Sequence, residues 1–180
     1  MKIYTKKGDD GTTGRLYGGR VRKDAPSIEA NGAVDEAQAA LGMARAEVER
    51  GSEIDEMLVG IERDLYVLMA EVATDEANRR KLEPGRTLVT SDMVAALEVL
   101  IDELGTRFEM PTEFVVPGGN RVAACLDLAR TVTRRAERSA LAASVDGSFV
   151  VPYLNRLSDL LWTMARWQEG DSLPARTGKR

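Results

Sequence analysis

Nineteen residues close to the N-terminus, Thr5-Lys-Lys-Gly-Asp-Asp-Gly-Thr-Thr-Gly-Arg-Leu-Tyr-Gly-Gly-Arg-Val-Arg-Lys23, contain five glycines, three threonines and six cationic side chains. Glycine lets a backbone turn with positive φ or approach a ligand closely. Successive backbone N–H groups in such turns form concavities that attract anions. With threonine hydroxyls and lysines added, the segment reads as a loop that wraps a polyphosphate. It is not a standard nucleotide motif: Gly-x-x-x-x-Gly-Lys-[Ser/Thr] is absent, and so is a Gly-x-Gly-x-x-Gly following a strand. By spacing alone, a surface turn remains the alternative.

A second constellation lies far along the chain, in Arg130-Thr-Val-Thr-Arg134-Arg135-Ala-Glu137-Arg138. On a helix, Arg130, Arg134 and Arg138 stack along one line with Glu137 beside them. Four arginines so close repel one another unless anions join them. A solvated, salt-bridged face and a triphosphate clamp both fit, the latter because guanidinium suits bidentate phosphate recognition. Asp35 and Glu36 lie in Asn31-Gly-Ala-Val-Asp-Glu, where a carboxylate could pair with Arg130 as a structural ion pair or a working one. In Pro152-Tyr-Leu-Asn-Arg-Leu-Ser-Asp159, helical spacing puts Asn155, Asp159, Trp162 and Arg166 on one face, and Leu154, Leu157, Leu161 and Met164 on another. Asn155 could bind a base or ribose, or simply belong to an amphipathic helix.

The chain contains no histidine. That removes the commonest general base, the commonest metal ligand, and every Ser-His or Cys-His pair. Any chemistry must rest on carboxylates, cations, positioning or a very reactive substrate. The single cysteine, Cys125, excludes an internal disulfide and suits a reducing compartment. A net charge of −4 argues against nucleic-acid binding as the main business. No long apolar leader and no run of about 18 apolar residues is present, so neither a signal peptide nor a membrane span is expected, and the expected location is cytoplasmic.

The elements that must position these residues are helices. With 180 residues one domain is expected, over 1–168, followed by a basic, frayed tail over 169–180. Aromatics are scarce, at 5%, while Ala, Leu, Val, Glu and Arg abound, which favours helix. Apolar positions Val34, Ala37, Leu41, Ala44 and Val48 predict a first helix from Ile28 to about Arg50, with Ser27 as its N-cap. Met57, Ile61, Leu65, Leu68 and Val72 mark a second, over 53–77. The charged segment 78–90 reads as a mobile loop. Thr90 or Ser91 caps a third helix over 91–108, a fourth runs over 120–143, and Pro152 opens a fifth that ends near Gln168. No strand pattern competes. The fold class is therefore all-α, a five-helix bundle with an N-terminal Gly-rich loop.

Taken together and in order, Ile3-Tyr4-Thr5-x-x-Gly8-Asp9-x-Gly11-x-Thr13, Arg20-Val21-x-Lys23-Asp24, Gly32-x-Val34-Asp35-Glu36, Phe114-Val-Val-Pro-Gly-Gly119, the arginine segment and Tyr153-Leu-Asn155-Arg156-Leu-Ser-Asp159 resemble the PduO-type ATP:cob(I)alamin adenosyltransferases. The resemblance implies a ferritin-like homotrimeric bundle with sites between subunits. It implies transfer of the 5′-deoxyadenosyl group of ATP to cobalt, with adenosylcobalamin and triphosphate as products and Mg2+ accompanying ATP. It places ATP on Thr5, Lys6, Lys7, Gly8, Asp9, Gly11, Thr12, Thr13, Gly14 and Lys23, completed by Arg134, Arg135, Glu137, Arg138 and Asn155. It assigns Asp35 and Arg130 to a subunit-crossing ion pair near the corrin. It assigns Phe114 to the lower corrin face, displacing the axial ligand to leave four-coordinate Co(II). No metal ligands are assigned. A flavin-type reductase and an adenosylcobalamin-dependent enzyme are implied partners. The chain departs from the family pattern at Arg15, usually apolar, at Asn31, usually aromatic, and at Ala37-Gln38, usually Leu-Asn. A cobalamin carrier that loads a dependent mutase is the alternative function. A plain helical oligomerisation module would leave the loop and the arginines unexplained.

Overall fold

The computed structural model describes residues 2–176. Five long helices follow a two-stranded ribbon: β1 (Thr12–Gly14), β2 (Arg20–Arg22), α1 (Pro26–Ala46), α2 (Glu53–Val72), α3 (Ser91–Gly105), α4 (Arg121–Leu141) and α5 (Val150–Glu169). A short 3-10 helix, Glu76–Lys81, lies between α2 and α3. The five-helix bundle expected from periodicity is thus present. The ribbon was not expected: β1 and β2 pair antiparallel, Thr13 opposite Val21. Strands of three residues rich in glycine carry too little alternation to be read from sequence.

The bundle packs α4 chiefly against α1 and α5, with α3 on α5 and α2 on α1. Small side chains make the α1–α4 contact close. Ala30, Ala33, Ala37, Ala40 and Ala44 are buried on α1, and Ala123, Ala129, Ala136 and Ala140 on α4. Close backbone approach fixes the rotation of α4, and hence the direction of its polar face. Larger side chains fill the rest of the core, including Leu58, Leu65 and Leu68 of α2 and Leu154, Leu157 and Leu161 of α5.

The helix ends are set by local chemistry. Pro26 opens α1 after Ala25, which makes no side-chain cap, so Ser27 lies inside the helix and is not its cap. Thr90 Oγ1 accepts the Met93 N–H at 3.3 Å, and Asn120 Oδ1 accepts the Ala123 N–H at 2.8 Å. α1 and α2 stop before the expected residues 50 and 77, and α5 begins at Val150, two residues ahead of Pro152. The segment 78–90 is tied down rather than loose. The buried Glu71 carboxylate accepts Arg79 Nη2 at 2.7 Å, Ser148 Oγ at 2.6 Å and the Val89 N–H at 2.8 Å. Burial of Tyr153 is matched by a 2.9 Å hydrogen bond from its hydroxyl to Asp64, whose carboxyl desolvation pushes above its ordinary range.

The tail expected to fray also has structure through residue 176. The Ala175 N–H donates to Phe114 O at 2.7 Å, and Val116 N–H donates to Leu173 O at 2.8 Å. The remainder of that expected tail, 177–180, lies outside the described residues.

Candidate functional site

The N-terminal loop folds on itself. Gly11 has φ +79°, which favours glycine, and its carbonyl accepts the Lys23 N–H at 2.9 Å. Gly8 lies directly beneath Lys23: a Cβ at Gly8 would sit 3.1 Å from Lys23 Nζ. Lys6 takes a left-handed φ of +59°, so Thr5, Lys6, Lys7, Gly8 and Asp9 turn sharply before β1. Asp10 accepts both the Thr12 hydroxyl, at 2.8 Å, and the Thr12 N–H, at 2.9 Å. Those bonds, the side-chain one first, hold its carboxyl below the usual range. Arg20 reaches back from β2 to Thr12 Oγ1 at 2.9 Å and to the Lys7 carbonyl. Asp10 and Arg20 shape the loop; the sequence motif included Arg20 without giving it a role, and did not include Asp10. Thr13 and Gly14 continue the ribbon to Arg15, which pairs with Asp75. The Leu16 N–H donates to Ala73 O at 3.0 Å, anchoring the ribbon to the end of α2. Arg15, atypical for the pattern, is thus an anchor.

The arginine row lies on α4 and its members differ. Arg134, Arg135 and Arg138 are exposed. Arg135 pairs with Glu36 of α1. Among the described residues, Arg134 and Arg138 have no carboxylate within ion-pair distance. Glu137 accepts Asn155 Nδ2 at 2.8 Å, so two expected site residues from different helices meet. No hydrogen bond or ion pair among the described residues joins the loop to Arg134, Arg138, Glu137 or Asn155. The two halves expected to hold one ligand thus make no direct polar contact with each other among the described residues.

Asp35 is exposed and unpaired among the described residues. Arg130 turns instead to Asp127 on its own helix, Nε to Oδ1 at 3.4 Å. The intrachain Asp35–Arg130 pairing allowed by the sequence is absent, and Arg130 is paired one turn back on its own helix. Phe114 is 88% exposed. It projects at the edge of a cleft of about 700 Å³ whose walls include Val115, Asp127, Arg130, Trp162 and Arg166. So Phe114 and Arg130, widely separated in sequence, share one cavity.

The face assigned to α5 splits in the structure. Asn155 and Asp159 are exposed, whereas Arg166 is only 1% exposed. Arg166 Nη2 donates to Asp127 Oδ2 at 2.6 Å, and Nε lies 2.9 Å from Glu169 Oε2. Spacing could suggest the Arg166–Glu169 contact, three residues apart, but not the link to Asp127 on another helix. Among the described residues, no cluster of three or more potential metal-ligating side chains occurs, and no helix is long and apolar enough to cross a membrane.

Comparison with known proteins gives a consistent result. Residues 3–168 match the family model described as cobalamin adenosyltransferase. The chain is 39% identical over 171 residues to a corrinoid adenosyltransferase of Citrobacter freundii, covering 93% of this chain and 95% of that one. It is 40% identical over 170 residues to a corrinoid adenosyltransferase of Mycobacterium tuberculosis, covering 92% and 87%. It is 36% identical over 176 residues to the corrinoid adenosyltransferase PduO of Salmonella typhimurium, of whose length it spans about half, 51%. Among solved structures it resembles a phenylalanine-to-histidine variant of a PduO-type ATP:corrinoid adenosyltransferase from Lactobacillus reuteri, complexed with cobalamin and ATP. The TM-score is 0.87 and the identity 27%, over 99% of this chain and 98% of that one.

Proposed function

We propose that this chain, which belongs to the cobalamin adenosyltransferase family, transfers the 5′-deoxyadenosyl group of ATP to the cobalt of cob(I)alamin. The electron pair of Co(I) forms the Co–C5′ bond as the C5′–O bond breaks. Triphosphate departs whole with the bonding electrons, and the alkylated cobalt is formally Co(III). Such a reaction suits a protein with no histidine. Co(I) is already a strong nucleophile and needs no base. The protein's tasks are to align cobalt, C5′ and the leaving oxygen, and to neutralise the charge that grows on the triphosphate.

The observation that carries this reading is the exposed pair Arg134 and Arg138, without an ion-pair partner among the described residues, beside the Glu137–Asn155 contact. Guanidinium groups without a protein partner are ready to meet a polyanion. Thr5 to Gly14 and Lys23 supply the other donors. Because these two groups make no direct polar contact among the described residues, the reading sets the loop of one subunit against the arginine row of the next, in a homotrimer. Asp35 of one subunit then reaches Arg130 of another beside the corrin. Phe114, already exposed at the cleft, presses an apolar ring on the lower corrin face and excludes a lower ligand and water. Four-coordinate Co(II) left in that way is easier to reduce, and a flavin-type reductase supplies the electron. An adenosylcobalamin-dependent enzyme is the recipient. Mg2+ would accompany ATP and would offset part of the charge on its phosphates.

The test is direct. Purified protein mixed anaerobically with ATP, Mg2+ and reduced cobalamin is expected to form adenosylcobalamin, seen in the visible spectrum, with triphosphate in equal amount. Cobalamin that binds but is never adenosylated under strictly reducing conditions would replace the enzyme with a carrier.

A further inference from the structure

A buried arginine is an expensive residue to keep, because a charge taken out of water must be matched by close partners. Arg166 is matched twice. Its guanidinium joins Asp127 of α4 and Glu169 at the end of α5, and the side chains of all three are no more than 8% exposed. Both carboxylates have second commitments. Asp127 Oδ1 faces Arg130 Nε at 3.4 Å. Glu169 Oε1 accepts the Gly119 N–H at 3.0 Å, and its Oε2 accepts Ser172 Oγ at 3.2 Å. Gly119 ends the segment that begins at Phe114. Ser172 begins the segment whose Leu173 and Ala175 hydrogen-bond to Val116 and Phe114. Glu169 therefore holds the Phe114 segment at its far end and, through Ser172, along its flank.

We propose that Arg166 is a positioning residue for adenosyl transfer: through Asp127 and Glu169 it holds Arg130 and the Phe114 segment in one fixed relation across the cleft. The planar guanidinium lies between the two carboxylates as a rigid fork: Nη2 donates to Asp127, while Nε lies within ion-pair distance of Glu169 without hydrogen-bonding it. A lysine in its place keeps the charge but has no rigid fork. Gly119 gives the arrangement an independent mark. A Cβ there would lie 2.4 Å from Glu169 Oε1 and 2.5 Å from its Cγ, so any larger residue must push the carboxylate off the Gly119 N–H. Misplacement of a reacting partner by about an ångström costs about a hundredfold in rate. The inference rests on the adenosyltransferase reading of the cleft.

The experiment compares wild type, Arg166→Lys and Gly119→Ala with cob(II)alamin and saturating ATP, reading the four-coordinate Co(II) fraction by electron paramagnetic resonance. ATP affinity and turnover are measured alongside. Both variants are expected to bind ATP within about twofold of wild type while turnover falls about tenfold or more. The four-coordinate fraction is expected to drop severalfold. A cluster that only stabilises the bundle would lower the melting temperature and leave the spectrum of the folded protein unchanged, and that result would overturn the proposal. Should Arg166→Lys fail to fold, Gly119→Ala decides, because it removes no charge from the cluster. A wild type that makes no adenosylcobalamin would instead remove the underlying functional reading, a failure visible before any variant is examined.

Discussion

Along the first half of α4, charge turns inward: Asp127 is buried, and Arg130, with 30% of its side chain exposed, leans on it. Along the second half, charge turns outward: Arg134, Arg135 and Arg138 stand exposed, and only Arg135 has an ion-pair partner among the described residues. The same four-residue spacing produces both. Each step of four residues rotates about 40° around a helix of 3.6 residues per turn. A row that starts at the α5 contact therefore winds out to the surface within two steps. In the inward half Asp127 is paired within the chain and holds shape, while Arg130, leaning on it, keeps part of its side chain on the cleft. The outward half is incomplete, so its work requires something that a single chain does not supply.

That contrast can be broken by substitution, and the largest effect belongs to the inward half. Asp127→Ala leaves Arg166 and Arg130 without their shared carboxylate, and is expected to cost about 3–5 kcal/mol of stability. Denaturant melts would show it as a lowered midpoint. A change under about 0.5 kcal/mol would mean that the cluster is already solvated. The outward half should behave oppositely. Arg134→Ala is expected to lose about 10²–10³ in turnover, the usual cost of removing a charge-stabilising donor from a transition state. Its unfolding free energy should stay within about 0.5 kcal/mol of wild type, since the exposed side chain removed has no ion-pair partner among the described residues. Turnover near normal would reduce the arginine row to a solvated helix face.

The sequence made one half of this comparison much easier to read than the other. Helix positions followed from apolar periodicity, and residues such as Leu41, Leu65 and Leu68 are buried as their spacing predicts. Arg134, Glu137 and Asn155 could be singled out from the sequence because each lies in a contiguous motif. Glu137 and Asn155 even meet, across two helices. The Asp127–Arg166–Glu169 cluster was not legible. Its link between α4 and α5 spans 39 residues and depends on how the helices pack. The ribbon was missed because β1 and β2 are three residues each, with glycine where alternation would be sought. Asp10, and the role of Arg20, escaped for a related reason, since both act on the loop's shape.

In the proposed assembly, the N-terminal loop of one subunit and the α4 arginines of another form one ATP site. Mixing two variants tests it most directly. Lys23→Ala damages the loop half and Arg134→Ala the arginine half, and each alone is expected to be nearly inactive. After subunit exchange at equal amounts, roughly a quarter of the sites in a ring of repeating interfaces draw both halves intact. Adenosylcobalamin formation should then rise to roughly a quarter of the wild-type rate. If the exchanged mixture is no more active than the sum of the two variants, both halves of the site belong to one chain, and the claim is wrong.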